Sequence, residues 1–255
     1  MNSENPSIQL SVNNHIATIC LNKPEKHNSL SGEDMKLFCD LLATIQDNAD
    51  IRVLILTGAG DKTFCSGAAL DQISAGEMGA DDFPVLTDTL AGLSIPKICA
   101  FNGSVYGGGV ELGLCCDFRI GIPGMRMFVP PARIGICYPL AGIQRYLRLL
   151  GTTVTKRILI ASEEFDTEGL RTIGYLTHLS DAELLNSTAQ KLAERIAGYA
   201  PMAVQAMQKI IDQAALDELS EEQANQWVKA CWQSEDLKEG LTALQEKRSP
   251  QFKGR

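Results

Sequence analysis

The run Asn102-Gly103-Ser104-Val105-Tyr106-Gly107-Gly108-Gly109-Val110-Glu111-Leu112 sets three consecutive glycines at the head of an apolar helix. Glycine inside a regular element costs roughly 0.5–1 kcal/mol relative to alanine. A triplet there is expected where the backbone bends sharply or is approached closely. A helix N-terminus also presents unpaired N–H groups and a partial positive charge, a setting that can hold a developing oxyanion. The same run delivers one carboxylate, Glu111, to the first helical turn. Read as plain architecture, the segment is a tight strand-to-helix turn with an acidic residue facing the helix dipole.

A second small-residue loop, Phe64-Cys65-Ser66-Gly67-Ala68-Ala69-Leu70, follows the apolar strand Val53–Thr57 and a turn at Gly58, Gly60 and Asp61. Elsewhere strands and helices alternate. Ile8–Val12 and Ile16–Leu21, joined through Asn13-Asn14, read as a β-hairpin. Ser31 with Asp34 forms an incomplete capping-box signature, and Met35, Phe38, Leu41, Leu42 and Ile45 share one helical face. Strands are expected over Ile51–Leu56, Ile98–Phe101 and Phe118–Gly121, which together predict an α/β fold with helices packed on sheet. From about Leu184 the pattern is helical only, over Ala189–Ala197, Pro201–Leu216 and Ser220–Ser234, with Pro201 suited to a first helical turn. The expected division is a core over 1–196 and a C-terminal helical region over 197–255.

Composition narrows the function classes. With 23 Lys and Arg against 31 Asp and Glu, the net charge of −8 argues against a nucleic-acid surface. A polyanionic small molecule would need locally placed lysines or arginines. The polar opening and the lack of a long apolar run point to a soluble, cytoplasmic protein with no membrane partner. Eight cysteines, at 20, 39, 65, 99, 115, 116, 137 and 231, form no Cys-x-x-Cys pair, and the histidines at 15, 27 and 178 are scattered. That favours small core residues in a reducing compartment and no metal site. Asn102-Gly103-Ser104 and Asn186-Ser187-Thr188 are chance glycosylation triplets on this reading. Gly58–Thr63 lacks the ending of a phosphate loop, and neither Gly-x-Ser-x-Gly nor a strand-borne Gly-x-Gly-x-x-Gly occurs.

Taken in order, several strings resemble the crotonase superfamily, the enoyl-CoA hydratases and isomerases. They are Lys26-His27-Asn28-Ser29-Leu30, the two glycine-rich loops, Cys115-Cys116-Asp117-Phe118-Arg119, Ser234-Glu235-Asp236, and Glu246-Lys247-Arg248-Ser249-Pro250-Gln251-Phe252. The resemblance implies a crotonase-like α/β spiral of repeated ββα units, although no clean repeat is visible in the sequence. It also implies C-terminal helices that pack subunits into homotrimers, often as dimers of trimers. The substrate would be an acyl-CoA thioester, coenzyme A being part of the substrate and no separate cofactor being needed. Matched residue by residue, the amides of Ala68 and Gly108 would receive the enolate oxygen, and Glu111 would handle a proton. Ser66, Ala69, Leu70, Gly107 and Pro131 would line the substrate. Lys26, Phe252 and Lys253 would meet coenzyme A, the last two from a neighbouring subunit. Asp71, Gln72, Met78, Phe83 and Leu86 would shape the acyl tunnel.

One position departs from the hydratase pattern. In Met127-Phe128-Val129-Pro130-Pro131-Ala132-Arg133, Pro131 stands where hydratases carry a second glutamate. Proline can neither donate nor accept a proton. Gly135-Ile136-Cys137-Tyr138-Pro139-Leu140-Ala141-Gly142 resembles the methylmalonyl-CoA decarboxylase branch, which has a tyrosine at the place of Tyr138, although that branch has a histidine where this chain has Ala68. Decarboxylation of a malonyl-type thioester is therefore the first expectation. Isomerisation or hydration with Glu111 alone comes second. A non-catalytic CoA-binding or assembly protein is the alternative of another class.

Overall fold

The computed structural model describes residues 6–216 and 219–255; the polar opening at 1–5 lies outside them. In chain order the elements are β1 Ile8–Asn13, β2 Ile16–Leu21, α1 Gly32–Gln46, β3 Val53–Gly58, β4 Thr63–Cys65, α2 Leu70–Ala75, α3 Asp82–Ala91, β5 Lys97–Ala100, β6 Ser104–Tyr106, α4 Gly108–Leu114, β7 Phe118–Gly121 and β8 Arg126–Phe128. They continue with α5 Leu140–Leu159, β9 Phe165–Asp166, α6 Thr167–Thr172, β10 His178–Leu179, α7 Leu185–Ala197, α8 Pro201–Ala214, α9 Glu221–Trp232 and α10 Glu235–Glu246. Single 3-10 turns occur at Pro24–Lys26, Ala132–Ile134 and Ala182–Leu184.

Two sheets organise the chain. The larger runs β1-β2-β3-β5-β7-β10, antiparallel at the β1/β2 hairpin and parallel from β2 onward; the smaller runs β4-β6-β8-β9. β4, β6 and β8 are parallel neighbours in the smaller sheet. Thus β3, β5 and β7 each leave the large sheet, add one short strand to the small sheet and then enter a helix: β3-β4-α2, β5-β6-α4, β7-β8-α5. This is the ββα repeat that the sequence conceals. Three turns of one spiral share a geometry, but their loops differ in length and residue type, so no sequence period survives.

Burial explains the strand signals. Val53, Leu54, Ile55 and Leu56 of β3 are all buried, as a central parallel strand covered on both faces requires. α7 covers the large sheet with Leu185, Ala189, Leu192, Ala193 and Ile196 turned inward, and it packs on β2, β3, β5 and β7. α8 and α9 bury none of their residues, and Met207, Ile211, Val228, Trp232, Leu241 and Leu244 on α8–α10 are exposed.

The limits of β1, β3 and β5 differ from the sequence expectation. β1 runs on to Asn13, which pairs with Ile16, so the hairpin turn is Asn14-His15, both with positive φ, and not Asn13-Asn14. Ile51 and Arg52 precede β3, because residues 48–51 form a turn (Ile51 N to Asn48 O, 3.0 Å) and the Arg52 amide binds His15 O at 2.8 Å. β5 begins at Lys97, one residue early. That lysine is 1% exposed and donates to the Leu93 carbonyl at 3.1 Å, so a charge that reads as a surface signal lies inside. The Ser31 cap is complete: its hydroxyl accepts from Asp34 N at 3.2 Å, and Asp34 accepts from Ser31 N at 2.7 Å.

The β3–β4 turn is fastened by two asparagines from other segments. Asn28, buried and in the left-handed region (φ 54° at His27, 52° at Asn28), donates to Ala59 O at 3.1 Å and Thr63 O at 2.9 Å. Its own Oδ1 accepts from Lys23 N at 2.9 Å. Asn102, at the exit of β5, accepts from Gly58 N at 3.1 Å and donates to Gly60 O at 3.0 Å.

The glycine triplet is held by contact with the first loop. A Cβ at Gly109 would lie 2.4 Å from the Cys65 carbonyl oxygen, and one at Gly107 would lie 3.0 Å from that of Ser66. Gly109→Ala therefore sets a helix-propensity gain of about 1 kcal/mol against a backbone overlap worth about 1–3 kcal/mol. We expect net destabilisation in chemical denaturation, whereas Gly79→Ala, whose nearest neighbour is 3.7 Å away, has little effect. Asn28→Ala removes the acceptor of the Lys23 amide and leaves the Ala59 and Thr63 carbonyls only the longer bonds from Asn102, at 3.3 and 3.4 Å, and is expected to lower stability by about 1–3 kcal/mol; an unchanged denaturation midpoint would refute that role.

Candidate active site

The first two spiral turns hand over from small sheet to helix side by side. Gly67, at φ +87°, lies so close to the head of α4 that a Cβ on it would fall 2.4 Å from the Gly108 nitrogen. Leu30 holds this loop from outside: its amide donates to Gly67 O at 2.9 Å and its carbonyl accepts from Ala69 N at 2.8 Å. The Ala68 amide between them is left out of that pairing. Gly108 is the first residue of α4, following Gly107 at φ 51°, ψ −130°. Among the described residues neither the Ala68 nor the Gly108 N–H has a hydrogen-bond acceptor, and both residues are only half-buried. Two adjacent free donors at a strand-to-helix junction are what a developing oxyanion needs.

Glu111 follows Gly108 by one helical turn and is 2% exposed. Its carboxylate accepts from Arg145 Nη1 at 2.7 Å. The same Nη1 donates to Thr87 Oγ1 at 3.2 Å, and Nη2 pairs with Asp88. Burial pushes the proton affinity of Glu111 up; Arg145 and Thr87 pull it down, Asp88 raises it further, and the net direction is upward. Gly142, in the first turn of α5, lets the carboxylate and Tyr138 converge: a Cβ there would lie 3.1 Å from Glu111 Oε1 and 3.2 Å from Tyr138 Cδ1. Burial, reinforced by Glu111, raises the Tyr138 phenol well above its ordinary value, so it remains a neutral donor. The Tyr138 ring meets Tyr146 edge-on, with centroids 5.9 Å apart.

Most residues singled out from the sequence surround this point. Ser66, Gly67, Ala68, Gly107 and Gly108 form one loop pair. Ala69 caps α2, and Leu70, its first residue, is exposed. Lys26 borders the pair through its neighbour His27, whose carbonyl accepts from Ser66 N at 3.0 Å. Pro131 is buried and opens the turn that leads to Tyr138. Phe83 of α3 rests on the head of α4, its ring tip 2.4 Å from where a Gly108 Cβ would be. Met78 and Leu86 are buried. Gln72 accepts from Gly32 N at 3.0 Å and ties α2 to α1. Within the chain, Phe252 and Lys253 sit against α10 and Arg52: Phe252 O accepts from Arg52 Nη2 at 2.9 Å, and Lys253 N donates to Asp236 at 2.7 Å.

Sequence reading missed Arg145, Thr87 and Asp88. One signal existed: Arg145 falls on the buried stripe of α5, with Gly142, Tyr146 and Leu150 at helical spacing. A cation on an apolar stripe needs a buried partner. No group of three or more His, Cys, Asp or Glu is placed to hold a metal ion among the described residues, and no helix among them is long and apolar enough to cross a membrane.

Comparison with known proteins agrees with this geometry. The chain is 31% identical over 259 residues to (E)-benzylidenesuccinyl-CoA hydratase of Thauera aromatica, covering 97% of this chain and 99% of that one. It is also 31% identical to crotonyl-CoA hydratase of Syntrophomonas wolfei, over 93% and 94% of the two chains. The structure of an enoyl-CoA hydratase from Bacillus anthracis superposes with a TM-score of 0.89 at 29% identity, covering 98% of this chain and all of that one. The profile described as Enoyl-CoA hydratase/isomerase matches residues 11–255, so the chain belongs to that family, the acyl-CoA enzymes of the crotonase fold.

Proposed function

We propose that this chain moves a proton at the carbon next to the carbonyl of an acyl-CoA thioester, with the Ala68 and Gly108 amides bearing the enolate oxygen and Glu111 carrying the proton. The observation that supports it most is Glu111 itself. It is a carboxylate sealed from water one turn beyond a free main-chain donor, with its proton affinity raised by burial above that of an ordinary carboxylate. One such donor is typically worth about 2.7–4 kcal/mol in the transition state.

Within that chemistry we favour hydration or dehydration of an enoyl or hydroxyacyl thioester, or a shift of its double bond. The activities printed for the relatives lie there: two are hydratases, and a third, from Proteus mirabilis, is a carnitinyl-CoA dehydratase at 31% identity. With Pro131 in place of a second carboxylate, Glu111 must serve for both proton movements, and we assign the neutral Tyr138 hydroxyl to orient the water or the intermediate. Ser66, Ala69, Leu70, Gly107 and Pro131 would wall the acyl and pantetheine path. Lys26 would meet coenzyme A, as would Phe252 and Lys253 of a neighbouring copy. The exposed apolar residues of α8–α10 are consistent with such a homo-oligomer.

Pro131 and Tyr138 support a second reading, the decarboxylation placed first on the sequence. Loss of carbon dioxide creates the enolate without a base, and the same two amides would stabilise it. The pairing of Glu111 with Arg145 weighs against this reading, because the cation nearest to Glu111 is already engaged and not free to hold a substrate carboxylate.

Purified protein offered 2-enoyl-, 3-enoyl-, 3-hydroxyacyl-, malonyl- and methylmalonyl-CoA in deuterated water, followed by mass spectrometry, separates these readings. The expected result is enoyl or hydroxyacyl turnover, or α-deuteration, that falls by about 10²–10⁴-fold in Glu111→Gln. The acid limb of kcat/KM is expected above the usual carboxylate range and absent in that variant. Carbon dioxide release undiminished in Glu111→Gln, with no enoyl turnover in the parent, would establish the second reading. Binding without turnover or exchange would refute both.

A further inference from the structure

Helix α3 touches the site twice. Its first turn lays Phe83 on Gly108, and its last turns put Thr87 and Asp88 under the Arg145 guanidinium. That guanidinium is a fork with unequal tines. One reaches Glu111, whose side chain is 3% exposed, and the other reaches Asp88, whose side chain is 58% exposed. Arg145 Nε is buried and has no partner among the described residues, so all of the cation's pairing passes through its two terminal nitrogens. A surface carboxylate and a buried one therefore share a single positive charge across three helices, α3, α4 and α5.

We propose that Asp88 is a positioning residue that sets the proton affinity of Glu111 by sharing Arg145 with it. This rests on the reading of Glu111 as the proton carrier. The groups that face Glu111 are Thr87 and Asp88 from α3, Cys115 just past the end of its own helix, Tyr138 before α5, and Arg145 and Tyr146 from α5. Burial holds the Cys115 thiol and both phenols in their neutral forms, which leaves Arg145 and Asp88 as the charges that act. The Asp88 anion repels charge on Glu111 and offsets part of the pull of Arg145, and both effects favour protonated Glu111. Removing the Asp88 charge reverses both, so Glu111 ionises at lower pH. Lysine at 145 cannot span the two carboxylates, because it lacks the planar fork.

The test uses the full chain with ¹³C-labelled glutamate, the Glu111 carboxyl resonance being assigned by its loss in Glu111→Gln and titrated by NMR. Asp88→Asn is expected to move that titration to lower pH. Asp81→Asn, which removes a charge at the start of the same helix, leaves it in place, and Asp88→Glu restores it. In an Arg145→Lys background Asp88→Asn is expected to have a smaller effect. If that background fails to fold, the two surface variants decide alone. An unmoved titration in Asp88→Asn, or an equal movement in Asp81→Asn, would overturn the proposal, since a merely structural Asp88 would change the thermal midpoint and nothing else. The acid limb of kcat/KM is read in parallel. If the resonance moves and the limb does not follow, the sharing of Arg145 stands and the assignment of Glu111 as proton carrier falls.

Discussion

Main chain pressed against main chain, at Cys65–Gly67 and Gly107–Gly109, is the constraint on which the remaining site geometry depends. The carbonyls of Cys65 and Ser66 lie where side chains on Gly109 and Gly107 would have to go, and Gly67 lies against the amide of Gly108. The two handovers from small sheet to helix can then sit close enough for their first free N–H groups to be neighbours. The spiral supplies this by repetition: successive ββα turns advance by one strand in each sheet, so equivalent points of successive turns are adjacent. The site is a by-product of translation along the fold, sharpened by three residues without side chains.

Charge inside the site follows a different rule. A carboxylate one turn into a buried helix would be severely destabilised in its ionised form without a partner. Arg145 provides one, and it is itself held by groups on α3. The carboxylate is thus neither a free base in an apolar pocket nor one arm of an isolated ion pair. Its environment is distributed over three helices, and Gly142 leaves the space in which the carboxylate and the Tyr138 ring approach each other.

What the sequence revealed and what it hid divide along physical lines. Local signals were legible: the Ser31 cap with its Asp34 partner, the first hairpin although its turn falls at Asn14-His15 one residue later than expected, Pro201 at a helix start, and the glycine triplet with Glu111. Each is carried by neighbours within a turn or two. Signals spread over distance were not legible. Arg145 is 34 residues from Glu111 and 57 from Asp88, and no local pattern announces such a link. Lys97 lies one residue outside the strand expected over Ile98–Phe101, and its ammonium is held inside by backbone carbonyls and by Asp117 at 3.7 Å. The bond from Gly32 N to Gln72, which ties α2 to α1 across 40 residues, likewise has no local signature. The ββα repeat escaped because it lives in strand pairing, which leaves side-chain identity almost free.

Because the two free donors at the site are backbone amides, every amino acid except proline offers the same N–H at positions 68 and 108. Any other side-chain replacement there alters room and shape and leaves the number of protons offered to an oxygen unchanged. Under the proposed function, diversity of reaction on such a scaffold would come from the side chains around it, at positions such as 83, 111, 131 and 138, each reached from a separate element. The fold would thereby separate a fixed electrostatic socket from an exchangeable set of tools.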